Sequence, residues 1–77
     1  MSNFATSIDV RTLERGNKKD IIFEAFEKLN LDEEMELIND HDPHPLYQYF
    51  MSKVPEKFKW EYLEQGPEVW RIIITKK

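Results

Sequence analysis

The chain has no cysteine and only two glycines among its 77 residues. Without thiols there are no disulfides, and a thiolate zinc knuckle is excluded as a staple for so small a domain. No apolar run approaches the roughly 18 residues of a membrane-crossing helix. Met1 to Ser7 has neither a basic start nor an apolar stretch, so no secretory signal is expected there. A basic stripe is missing too. Eleven Lys and Arg stand against fifteen Asp and Glu, the formal net charge is −4, and the lysines are scattered among acids. Nucleic acid and anionic membranes are therefore not expected as partners. A cysteine-free chain of this kind fits the cytoplasm, which is the expected location.

Aromatic side chains are plentiful. Five Phe, two Trp and three Tyr supply the volume for a core. They are needed, because a chain of this length buries only about 60% of the surface its unfolded form exposes. One domain is expected over residues 1–77, with an ordered core from about 6 to 75.

Hydrophobic periodicity orders this domain as β-α-β-α-β-β. Thr6 to Val10 reads as a short strand, with Ile8 and Val10 on one face. Gly16-Asn17 marks a loop, and Asn17 is a candidate helix cap. A helix follows to about Leu29 on a stripe of Ile22, Phe26 and Leu29, and Asn30 suits its left-handed exit. Glu34 to Asn39 alternates as a strand with one buried face. Pro45 places the start of the second helix, with His44 as its cap. That helix buries Leu46, Tyr49 and Phe50, and Pro55 stops it.

Lys57 to Glu64 and Val69 to Thr75 alternate cleanly across a Gln65-Gly66-Pro67 turn. A three-residue loop pairs Tyr62 with Trp70, Trp60 with Ile72 and Phe58 with Ile74, with Gly66 at positive φ. An even loop would put Trp60 opposite Arg71. Right-handed crossovers place both helices on one face of a mixed four-stranded sheet. The expected fold is an α/β two-layer sandwich whose other sheet face is open. That face mixes Lys59, Glu61 and Arg71 with Ile38, Leu63, Val69 and Ile73, and could serve a partner or a second copy.

One dense polar run goes beyond what a fold demands: Asn39-Asp40-His41-Asp42-Pro43-His44-Pro45. It sits where the second strand hands over to the second helix. Ligands favour the carboxyl ends of parallel strands. Arg11, just past the first strand, belongs to the same edge if the two strands are neighbours. The candidate site is thus Arg11, Asn39, Asp40, His41 and Asp42. A metal would take His41 with Asp40 or Asp42, and with His44. An acid–base site would use His41 beside an Asp. An anion site would use Arg11 and the helix N-terminus. Against these stands a plain joint, since Asp, Asn and Pro form turns and start helices. His44 reads first as a cap, Glu64 and Glu68 as solvated flanks of a turn, and Trp60, Tyr62 and Trp70 as core.

Three stretches carry a resemblance: Asp9-Val10-Arg11; Asn39-Asp40-His41-Asp42-Pro43 with Pro45-Leu46; and Trp60-x-Tyr62-Leu63-Glu64-x-Gly66-Pro67-x-x-Trp70. From Ile8 to Lys76 the chain resembles a bacterial family of unknown function related to the TusA/SirA sulfur carriers. The resemblance implies the same β-α-β-α-β-β fold. It also implies partners such as hemerythrin-like or redox proteins of nitrogen-oxide metabolism. The carriers hold a persulfide on a Cys-Pro-x-Pro motif at the first helix. This chain has Gly16-Asn17-Lys18-Lys19 there, so sulfur carriage does not transfer. Many relatives have an Arg-His-Pro run where Lys18-Lys19-Asp20 stands here.

The expected function is a small binding or adaptor module. It takes a protein partner or small ligand at the Arg11/Asn39–Asp42 edge. A metal or haem protein using His41 is the alternative. Enzymatic activity is the less favoured reading, because no activated nucleophile or complete catalytic set is present and a domain this small has little volume for a deep pocket.

Overall fold

The computed structural model describes residues 4–13 and 18–77. Strand β1 spans Thr6–Asp9, helix α1 Lys18–Glu27, β2 Glu34–Asn39, α2 His44–Lys53, β3 Phe58–Gln65 and β4 Trp70–Lys76. The strands form one mixed sheet in the order β1-β2-β4-β3. β1 and β2 run parallel, and β4 is antiparallel to both its neighbours. The proposed cap Asn17 and the Gly16 turn lie outside the described residues.

Alternation in the strands decides which face is covered. Met35 and Leu37 of β2 stand beside Ile74 and Ile72 of β4, and all four are fully buried. α1 adds Ile22 and Phe26 to the same cluster, and α2 adds Leu46 and Phe50, so both helices lie on that face. Phe50 is the hub: its ring meets Phe23, Phe26, Phe58 and Trp60 edge-on, with centroids 5.1–6.1 Å apart. Edge-to-face contacts suit the ring quadrupoles and add to the area buried.

The open face has its own anchor. Glu36 is 7% exposed although it points away from the helices. It accepts a hydrogen bond from Ser7 Oγ at 2.8 Å and two from the Arg71 guanidinium, the Nε at 2.9 Å. The three residues come from β1, β2 and β4, so one carboxylate ties three strands.

Several sequence expectations are corrected. β1 ends at Asp9, because the Asp9 carboxylate accepts from the Arg11 backbone N–H and turns Val10–Thr12 into a single 3-10 turn. The left-handed residue after α1 is Asp32, at φ +71°, rather than Asn30. Its N–H reaches the Lys76 carbonyl at 2.7 Å, tying that loop to β4. α2 begins at His44 and not at Pro45, and Pro43 occupies the cap position without any side-chain hydrogen bond. The C-terminal lysines are held: Lys76 Nζ donates to the Glu27 carbonyl at 2.9 Å, and the Lys77 N–H to the Lys57 carbonyl at 3.0 Å.

The hairpin register also differs. Trp60 pairs with Ile74 and Tyr62 with Ile72, two residues from the expected partners. Four residues separate β3 from β4. That even loop would turn the aromatic face outward, but a bulge at Leu63 inserts one extra residue and restores the phase. Gly66 takes φ +63°, as expected, and a Cβ there would sit 2.8 Å from the Trp70 ring. Backbone conformation and the Trp70 ring together require glycine.

Candidate functional site

Parallel pairing of β1 with β2 sets Asp9 beside Ile38, so the residues after each strand emerge at one rim. Arg11 follows β1 there and Asp40-His41 follows β2. Arg11 Nε and Nη2 both donate to the Asp9 carboxylate at 2.8 Å. This pair holds the Asp9 carboxyl below, and the Arg11 guanidinium above, their ordinary pKa ranges. Asp40 lies close enough to reinforce the charge on Arg11. Its own carboxylate meets His41 Nδ1 at 2.6 Å, and that hydrogen bond is the main reason its pKa is lowered, with Lys18 adding to the effect. Both partners are two-thirds exposed. Such a pair orients the imidazole but contributes little stability.

Asn39 is different. It closes β2 on the helix-covered face, where it pairs with Trp70, and is 3% exposed. Among the described residues its amide nitrogen has no hydrogen-bond partner. A buried donor left without a partner costs about 1–3 kcal/mol. Asn39 lines a cleft of about 150 Å³ where the first turns of α1 and α2 meet the sheet. Val10, Ile22 and Leu46 give it an apolar floor, and Lys18, Lys19 and His41 stand at its edge. Pro43 and Pro45 form the α2 wall, and no side chain caps that helix.

Asp42 belongs elsewhere. Its carboxylate accepts from the Tyr62 hydroxyl at 2.9 Å, tying the loop toward β3 and away from β1. Burial, and then this hydrogen bond, raise the Tyr62 pKa. The neighbouring Trp60 N–H acts in the opposite sense but falls short of a hydrogen bond, and stays buried without a partner. His44 stacks on Tyr47 with ring centroids 6.0 Å apart. Among the described residues, no three His, Asp or Glu side chains come together as metal ligands.

The five proposed residues therefore divide. Arg11, Asn39, Asp40 and His41 share the β1–β2 rim, while Asp42 joins the hairpin side. Sequence reasoning missed Lys18 and Lys19 as parts of the rim. Their signal was positional, since they open α1 beside the rim. It also missed Tyr62 as the partner of Asp42, a pairing twenty residues apart that no local pattern announces.

A larger groove of about 610 Å³ runs between α1 and β1. Its Lys28 and Glu24 face each other at 3.4 Å, and Glu33 accepts from the Asn30 N–H, so its charged walls are already engaged. No unpartnered buried polar atom lines it. The smaller cleft is therefore the stronger candidate site.

No curated protein and no solved structure matches the chain. One family model does, over residues 7–76. That span takes in every strand and both helices apart from the first residue of β1. The chain belongs to the family described as "Uncharacterized conserved protein (DUF2249)".

Proposed function

We propose that this domain is a non-enzymatic binding module that meets its ligand or partner at the β1–β2 rim. Arg11, Asn39, Asp40 and His41 form the working edge, with Lys18 and Lys19 beside them, and Asp42, included in the sequence-based set, ties the end of the loop to the hairpin. One observation carries the reading: among the described residues Asn39 holds an unpaired buried amide nitrogen and lines an open cleft, whereas the other such donor, Trp60 Nε1, lies in the ring cluster and lines no cleft. Folding alone gives no return for that cost, whereas a bound group that supplies the missing acceptor does. The chemistry of the rim supports binding over catalysis. His41 leans on Asp40 at the open surface, and no Ser, Thr or Lys stands within hydrogen-bond reach of its ring among the described contacts.

Kinship with the TusA/SirA carriers and redox or hemerythrin-like partners belong to the same proposal and rest on the resembling motifs, while a cytoplasmic setting belongs to it on the lack of cysteine. Persulfide carriage is outside it, for want of a thiol. A metal or haem on His41 and His44 is the weaker reading. His41 Nδ1 is engaged by Asp40 and His44 lies against Tyr47.

Ligand-observed NMR with a library of acids, bases and neutral compounds tests the rim. Saturable hits on the parent, lost in the Asp40→Ala/His41→Ala double variant, are expected. A library without hits, or hits that bind the double variant equally, overturns the reading. Calorimetric titration with zinc and absorption titration with haem address the alternative, and saturable binding of either would favour it.

A further inference from the structure

Resting on that reading, we propose that the cleft at Asn39 takes a small carboxylic acid with a short hydrocarbon body. Three features of the cleft select this class.

The first is size and surface. A cavity of about 150 Å³ is large enough for a benzene ring. Its floor of Val10, Ile22 and Leu46 is hydrocarbon, so the body of the ligand is apolar.

The second is the polar group at its inner edge. Asn39 is 3% exposed and its amide N–H2 lacks an acceptor. A carboxylate oxygen supplies one.

The third is charge. Lys18 and Lys19 line the cleft, and Arg11 stands on the same rim. Asp9 offsets Arg11, and Asp40 is engaged by His41. Among these described side chains three cations stand against two carboxylates, which favours an anion over a cation. The first turn of α2 carries no side-chain cap, and Leu46 from that turn lines the cleft. A charge-assisted hydrogen bond is roughly twice as strong as a neutral one, so a carboxylate gains more here than an alcohol of the same shape.

The test titrates ¹⁵N-labelled protein with benzoate and 3-methylbutanoate, and with benzyl alcohol and 3-methylbutanol as uncharged matches. Both acids should shift the Asn39 side-chain and Leu46 backbone signals saturably. The alcohols should bind about tenfold more weakly, the ratio one such bond supplies. Asn39→Leu should lose the acid by tenfold or more while its thermal midpoint stays at or above that of the parent. Lys18→Gln should weaken it severalfold. Equal affinity for acid and alcohol, unchanged affinity in Asn39→Leu, or no saturable shift overturns the inference. If acids fail while another class in the library saturates the rim, the ligand class is wrong and the binding module stands. If nothing in the library binds, both fall.

Discussion

Phe50 and Asn39 are both buried, one at 0% and the other at 3% exposure, yet they are buried on different terms. Phe50 sits among five other rings and its burial removes hydrocarbon from water. Asn39, at the other end of the same covered layer, brings an amide nitrogen out of water with nothing to bond. The aromatic end is what holds the sheet to the helices. The rim holds less, and although each end has one unpaired buried donor, Trp60 Nε1 among the rings and Asn39 Nδ2 at the rim, only Asn39 lines a cleft. In a thin core such a difference separates the part that makes the fold from the part proposed above as the binding edge.

Substitutions sharpen that contrast, and the largest effect belongs to the aromatic end. Phe50→Ala should cost about 3–5 kcal/mol by chemical denaturation, because it opens a cavity beneath α2. A loss under 1 kcal/mol would show that the ring cluster does not hold the layers together. Arg71→Ala should cost about 2 kcal/mol, chiefly by leaving the buried Glu36 carboxylate with Ser7 alone; Arg71 is 41% exposed, which keeps the figure below that of a fully buried pair. Arg71→Ala/Glu36→Gln should recover part of it. Asn39→Leu should raise stability by about 1 kcal/mol, since it removes an unsatisfied donor. A loss instead would mean that the amide is structural.

The pH profile gives a smaller effect. The Tyr62 pKa is raised in the folded chain, so the fold favours the protonated phenol. Its contribution is complete below the unfolded value near 10 and declines as pH rises through the folded value. Tyr62→Phe should flatten the stability curve above that pH, and an unchanged slope would argue against the Asp42 bond. His41→Ala should stay within about 0.5 kcal/mol of the parent, as exposed sites do.

The order of elements and the helix-covered face were legible in the sequence, because period-2 and period-3.6 patterns report burial directly. β2 matches residue for residue, and the rim residues Arg11 and His41 follow from parallel pairing. Local competition hid the rest. Asp9 diverted the chain from β1 by capping its own turn, and Pro43 took the cap position that His44 was expected to fill. The hairpin was the instructive miss. Counting loop residues assumes an unbroken ladder, and a bulge is invisible to that count. Asn39 was picked for its company in a polar run, although its burial and unpaired nitrogen are tertiary facts that no local pattern contains.

The bulge at Leu63 has a consequence for how this hairpin tolerates change. The extra residue is unpaired, so its loss need not disturb the pairs on either side. Deleting Leu63 would leave Tyr62 opposite Ile72 and Glu64 opposite Arg71 in an unbroken ladder. The bulge is therefore a place where the hairpin absorbs a one-residue change in length while its aromatic face stays inward.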